Sequence, residues 1–141
     1  MSRVYWDTMM FIYLQEAHPK FGPFVRKAYE AIERRRETLC TSVFTIGELL
    51  TLPRRKGNDV LVQSIRRHML SGEVEILPFT LATAEMYSAI RSKAKLKAAD
   101  SIHLAAATES GARTFVTNDE QLLKVQMDGI PQIIGLDGRL W

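Results

Sequence analysis

Along this chain, short apolar runs alternate with longer stretches in which apolar positions recur every three or four residues. Residues 3–6, 38–41, 74–77, 113–116 and 132–136 are too short and too continuously apolar for surface helices and read as strands. The helical periodicity covers residue 8 to about 16, 24 to about 36, 43–52, 59–70, 81 to about 93 and 100–110, with a short helix around Leu122-Leu123. Apolar strands alternating with helices predict a parallel sheet covered on both faces, that is, a three-layer α/β/α sandwich. Ligands of such sheets bind outside the carboxyl ends of the strands.

Local punctuation supports this division. Ser42, Thr80 and Asn118 stand where a side-chain oxygen caps the following helix, and Gly111 stands where a helix ends. Pro19 with Gly22-Pro23 marks one turn, and Leu52-Pro53-Arg54-Arg55-Lys56-Gly57-Asn58 marks a second. Neither is long enough to link domains, and there is no internal repeat. The 141 residues are expected to form one domain.

Composition narrows the setting. The chain is 46% hydrophobic and 25% charged, an ordinary globular balance. No apolar run approaches the roughly 20 residues of a membrane span. The first residues lack the anatomy of a secretory leader, because Asp7 interrupts the apolar run at once. Cys40 is the single cysteine and sits among apolar neighbours, so it reads as a buried thiol in a reducing cytoplasm. The net charge of +3 is mild, but the positive residues are clustered: Arg34-Arg35-Arg36, Arg54-Arg55-Lys56, Arg66-Arg67-His68, and Lys93, Lys95 and Lys97. Each cluster alone suits a solvated surface; together they favour a polyanionic partner such as nucleic acid.

The acids carry the chemistry. Asp7 directly follows the first predicted strand, inside the apolar run Val4-Tyr5-Trp6-Asp7-Thr8-Met9-Met10-Phe11. Asp119 follows the strand that ends near Thr117. Chain order alone puts both at the carboxyl edge. Glu48 lies about a turn and a half into the helix after Ser42, beside the apolar arc of Val43, Ile46, Leu49 and Leu50. Gly47 falls inside that arc, which would allow another backbone to approach closely. Asp100 opens the alanine-rich helix and shares a column with Leu104 and Ala107. His103, one turn on, reads as a supporting histidine. Each Asp has an alternative reading as a helix cap.

Several carboxylates at one sheet edge repel each other and require a positive counterpart. No Cys/His cluster is present for Zn²⁺, whereas an all-oxygen set suits Mg²⁺ or Mn²⁺. Such ions orient water and stabilise the leaving oxygen of a phosphodiester.

Four segments in order, Tyr5-Trp6-Asp7-Thr8, Ser42 to Leu49, Ala99-Asp100-Ser101-Ile102-His103-Leu104 and Phe115-Val116-Thr117-Asn118-Asp119, resemble the PIN domain, specifically the VapC-type toxins of toxin–antitoxin pairs. The resemblance spans essentially the whole chain. It implies a metal-dependent endoribonuclease in which Asp7, Glu48, Asp100 and Asp119 are the catalytic acids and hold Mg²⁺ or Mn²⁺. It also implies hydroxyl support from Thr8, Thr117, and Ser42 or Thr45, a homodimer, and a VapB-like antitoxin that blocks the cleft. Glu120, next to Asp119, leaves open which carboxylate faces the metal. Arg54, Arg55, Lys56, Lys93, Lys95 and Lys97 are the candidate RNA contacts.

Two other readings compete. A non-catalytic RNA- or protein-binding module of the same fold is disfavoured by the presence of all four acids. An aspartyl-phosphate receiver or phosphatase needs a second acid near its nucleophilic Asp and a lysine at a later strand end. Asp7 is followed by Thr8-Met9, and no such lysine is evident.

Overall fold

A computed structural model of the chain describes residues 2–137. Five parallel strands form one sheet in the order β3-β2-β1-β4-β5. They are β1 (Arg3–Trp6), β2 (Thr38–Ser42), β3 (Glu75–Leu77), β4 (Thr114–Val116) and β5 (Gln132–Ile134). The helices between them are α1 (Thr8–Gln15), α2 (Gly22–Arg34), α3 (Val43–Arg55), α4 (Asp59–Met69), α5 (Leu81–Lys93), α6 (Ala98–Glu109) and α7 (Glu120–Leu123). The expected α/β/α sandwich is therefore the observed one.

Strand alternation explains the two halves of the core. In β1, Val4 and Trp6 face one layer, where they pack with Met10, Phe11, Val25, Ile32, Leu49 and Ile65 from α1 to α4. Tyr5 faces the other layer, with Ile90, Leu104 and Leu122 from α5 to α7. The register places Tyr5 opposite Cys40 on β2 and Phe115 on β4, so these three side chains form a row under α6. Both halves are apolar because helices cover both faces. Cys40 is buried as expected, and burial pushes its thiol up to about 12.

Several element ends differ from the sequence reading. Helix α3 runs into the turn expected at residues 52–58 and ends at Arg55. Pro53 lies in its last turn, where a missing N–H costs one ladder bond and the burial of Leu49 and Leu50 holds the rest. Helix α6 opens at Ala98, two residues before Asp100, because the extended backbone of Lys97 already turns into the helix there. Helix α2 begins at Gly22, with Pro23 in its first turn, where a proline's absent N–H is not needed. The cap of α7 is Asp119, not Asn118: its Oδ1 accepts from the N–H groups of Gln121 (2.8 Å) and Leu122 (3.2 Å). Strand β5 stops at Ile134, although Leu136 is still buried beyond it. Thr80 caps α5 as expected, in a reciprocal pair with Thr83.

Gly47 is a clear correction. It faces solvent, and a Cβ built on it would meet nothing within 4 Å. Among the described residues no backbone approaches it; the buried arc of α3 runs through Thr45, Leu49 and Leu50 instead.

Candidate active site

The chain leaves β1 for β2 and β3 on one side of the sheet and returns to β4 and β5 on the other. The order reverses between β1 and β4, and the carboxyl edge of a parallel sheet opens into a crevice at such a point. A cleft is found there, lined by Asp7, Thr8, Met9, Ile12 and Tyr13 of the β1–α1 segment, Glu48 of α3, Ala99, Asp100 and His103 of α6, and Asn118 and Asp119 after β4. All four acids singled out in the sequence meet in it. Tyr13, Met9, Ile12 and Asn118 were not anticipated; their only signal is their position beside Asp7 and Asp119.

Asp7 is the most confined of the four, with 7% of its surface exposed. It occupies the N-cap position of α1, yet its side chain makes no capping hydrogen bond, so the capping alternative does not describe it. Thr117 Oγ1 instead donates to Asp7 Oδ2 at 2.6 Å, while Asp7 Oδ1 is buried and has no hydrogen-bond partner among the described residues. Burial pushes the Asp7 carboxyl up to about 6, against the hydrogen bond from Thr117, and the nearby charge of Asp100 adds to the rise.

Glu48 is held differently. Thr8 Oγ1 donates to its Oε1 at 2.5 Å, and His103 Nε2 lies 2.7 Å from the same oxygen. Partial burial works to raise the Glu48 carboxyl, but the bonds from His103 and Thr8 override it and keep the group below the usual range. Thr8 thus holds Glu48 in place, and His103 does so with both ring nitrogens engaged, since Tyr5 Oη is 2.7 Å from Nδ1.

Asp100 stands at the third position of α6. Partial burial raises its carboxyl, and the charge of Asp119 raises it further. Asp119 combines two roles that the sequence offered as alternatives: it caps α7 and it lines the cleft. Its own N–H is fixed by Thr117 Oγ1 at 3.0 Å. Glu120 is exposed and does not line the cleft.

The remaining expected residues lie farther out. Ser42 is the buried N-cap of α3, its hydroxyl accepting from Phe44 N–H at 3.0 Å. Thr45 is buried against Thr41, with the hydroxyls 2.7 Å apart. Both fix the start of the helix that carries Glu48, and neither lines the cleft. Arg54, Arg55 and Lys56 are exposed at the end of α3, as are Lys93 at the end of α5 and Lys95 and Lys97 between α5 and α6. Lys56 lines an apolar groove beside the cleft, and that groove shares Ile12 and Glu48 with it. Lys97 lies near enough to Asp100 to favour its ionised form. Lys93 and Lys95 border a separate surface depression with Gln126 and Met127.

Among the described residues, no three acid, histidine or cysteine side chains lie close enough together to enclose an ion. The chemistry of the cleft nevertheless fits a hard divalent cation. Its donors are carboxylate oxygens, the preferred ligands of Mg²⁺ and Mn²⁺. The buried Oδ1 of Asp7 has no partner among the described residues, which suits an atom placed to take a cation.

A PIN domain model matches residues 4–127 of the chain. No curated protein matches it in sequence. Among solved structures it is similar to VapBC2 from Rickettsia felis bound to a DNA fragment from its promoter, at 19% identity, 94% coverage of this chain and 98% of that one, with a TM-score of 0.75. DNA-bound VapBC from Salmonella typhimurium is similar at 18% identity, 96% and 99% coverage, and a TM-score of 0.75. The sarcin-ricin-loop-cleaving toxin VapC20 from Mycobacterium tuberculosis is similar at 16% identity, 79% and 86% coverage, and a TM-score of 0.64. At these identities the likeness is one of fold.

Proposed function

The chain belongs to the PIN domain family, and from that premise we propose that it is a metal-dependent endoribonuclease, the VapC-type toxin of a type II toxin–antitoxin pair. The observation that carries this reading is the convergence of Asp7, Glu48, Asp100 and Asp119 on one cleft at the switch point of the sheet, with Asp7 Oδ1 buried and unpartnered. The acids would hold Mg²⁺ or Mn²⁺, which when bound supplies the activation of water and the charge stabilisation that phosphodiester hydrolysis needs.

The residues of the chain perform the rest. Thr117 fixes Asp7 at the end of β1, and Thr8 with His103 fixes an ionised Glu48 across the cleft. Burial raises the carboxyls of Asp7 and Asp100 above their usual range, so a cation held beside them would favour their ionised forms. RNA is the proposed substrate, its phosphates offset by the exposed Arg54, Arg55, Lys56 and Lys97, and more remotely by Lys93 and Lys95.

The whole chain, residues 1–141, is read as one nuclease domain acting in the cytoplasm as a homodimer. Among the described residues no helix is long and apolar enough to cross a membrane. A VapB-like antitoxin is the proposed inhibitor. The apolar groove beside the cleft, lined by Leu49, Leu52, Pro53, Leu61 and Ile65, supports such a partner because an occupant would also reach Glu48.

The test is cleavage of RNA by purified protein with Mn²⁺. Asp7→Asn and Asp100→Asn should each abolish cutting while leaving the circular dichroism spectrum unchanged. Equal cutting by both variants would show the site assignment to be wrong. Binding of RNA that is indifferent to chelator, with no cleavage at any metal level, would favour a non-catalytic module. In cells, growth arrest on expression should be relieved by a small protein encoded beside this one.

A further inference from the structure

We propose that Tyr5 and His103 are positioning residues that orient Glu48 through a hydrogen-bond relay of fixed direction, anchored in the central strands of the sheet. The proposal rests on Glu48 belonging to the nuclease site described above.

The direction follows from which groups can donate. The N–H of Ser42 at the end of β2 lies 3.1 Å from Tyr5 Oη. A backbone N–H only donates, so Oη accepts there and has one proton to give elsewhere. The hydroxyls of Thr41 and Thr45 also face this tyrosine. Thr41 Oγ1 donates to the carbonyl of Trp6 at 2.8 Å, so in the 2.7 Å contact between the two threonines Thr45 is the donor. Both threonine protons are therefore committed elsewhere, and of the two groups at hydrogen-bond distance from Tyr5 Oη, Ser42 N–H and His103 Nδ1, only the latter can accept. The acceptor paired with Tyr5 Oη is His103 Nδ1, at 2.7 Å.

An Nδ1 that accepts a proton from Tyr5 carries none of its own, so the neutral ring is protonated at Nε2. That nitrogen points at Glu48 Oε1 from 2.7 Å, where Thr8 Oγ1 also donates. The relay thus runs from Ser42 N–H through Tyr5 O–H and the imidazole to the carboxylate. Its members are confined: Tyr5 is fully buried, stacked on Phe115 at 5.0 Å, and His103 is 3% exposed, with the ring of Phe44 5.6 Å away. A buried histidine needs partners for both nitrogens, and Tyr5 alone meets half of that need. The other half ends on an acid of the cleft, whose long side chain would otherwise lose considerable rotamer freedom on binding a ligand. Outer hydrogen bonds of this kind orient the groups that hold a metal.

The test uses full-length, metal-free protein labelled with ¹⁵N at histidine. At pH 7.5 the long-range proton–nitrogen spectrum should show His103 unprotonated at Nδ1 and protonated at Nε2. Tyr5→Phe should abolish that fixed signature. Mn²⁺ affinity, read from the electron paramagnetic signal of free Mn²⁺, should fall roughly 10-fold or more in His103→Ala. His103→Gln, which keeps an N–H donor near Glu48, should recover most of that loss. Protonation of His103 at Nδ1 or at both nitrogens in the wild type, or wild-type Mn²⁺ affinity in His103→Ala, would overturn the proposal. Wild-type protein that binds no Mn²⁺ overturns both this proposal and the nuclease reading. Wild-type protein that binds Mn²⁺ with the expected signature and cuts no RNA overturns the nuclease reading alone.

Discussion

Thr117 Oγ1 donates to Asp7 Oδ2 at 2.6 Å across 110 residues of sequence, joining the carboxyl ends of the two strands that flank the switch point. The same hydroxyl accepts from the N–H of Asp119. One threonine therefore sets the positions of two of the cleft's acids.

Thr117→Val keeps the shape of this side chain and removes both bonds. The Asp7 carboxylate then loses its side-chain donor, and its pKa should rise further because that opposing hydrogen bond is gone. The expected loss is about 1–3 kcal/mol of stability at pH 7.5, read by urea unfolding, together with weaker Mn²⁺ binding. An unchanged unfolding midpoint would mean the bond contributes nothing.

Asp7 also makes stability depend on pH. Its folded-state value of about 6 lies above its ordinary value of 3.8. Below that ordinary value both folded and unfolded chains hold the proton and there is no penalty. As pH rises toward 6 the unfolded chain releases it first, so stability falls through this window and stays low above it. A displacement of that size corresponds to at most about 3 kcal/mol. Metal-free Asp7→Asn should therefore be more stable than wild type at pH 7.5 and flatter between pH 4 and 6, although inactive. Destabilisation of this variant at neutral pH would contradict the account of a penalised carboxylate.

A divalent cation should reverse the same penalty. Mn²⁺ or Mg²⁺ at 100 times its dissociation constant is expected to stabilise the fold by about 2.7 kcal/mol at pH 7.5. The gain should shrink at pH 5, where protons compete for Asp7 and Asp100, and EDTA should abolish it. Differential scanning fluorimetry with and without metal at the two pH values checks this; a metal effect that grows on acidification would speak against carboxylate ligands.

Gly47→Ala should stabilise the protein. The glycine is exposed inside α3, and an added Cβ meets nothing within 4 Å, so helix propensity alone decides the outcome. The expected gain is about 0.5–1 kcal/mol in urea unfolding, with RNA cleavage unchanged. A lower midpoint would reveal a contact absent from the structure.

The sequence alone was sufficient for the element order, the parallel sheet and the identity of the four acids that meet in the cleft. The elements follow from strand-length apolar runs and helix periodicity, and Asp7 and Asp119 from their placement just past strand ends; Glu48 and Asp100 join them as what the resemblance to the PIN domain implies. It was a poorer guide to helix limits. The punctuation of Pro53 was outweighed by the burial of Leu49 and Leu50, and the first turn of α6 precedes Asp100 without any capping side chain. Gly47 was misread because the periodicity of α3 marks an apolar arc without saying what packs on it.

What only the tertiary structure decided is how each acid is held. Whether Asp7 caps a helix or faces a cleft is invisible in its neighbours; Thr117, from the far end of the chain, settles that its side chain is not a cap. Tyr5 looked like one more apolar strand residue, yet the register of β1 against β2 aims its hydroxyl between Ser42 and His103. Local propensity is written in consecutive residues. The partners of a buried polar atom come from segments that meet only after the sheet has formed, and they determine whether a carboxylate there is ionised, protonated or in need of a cation.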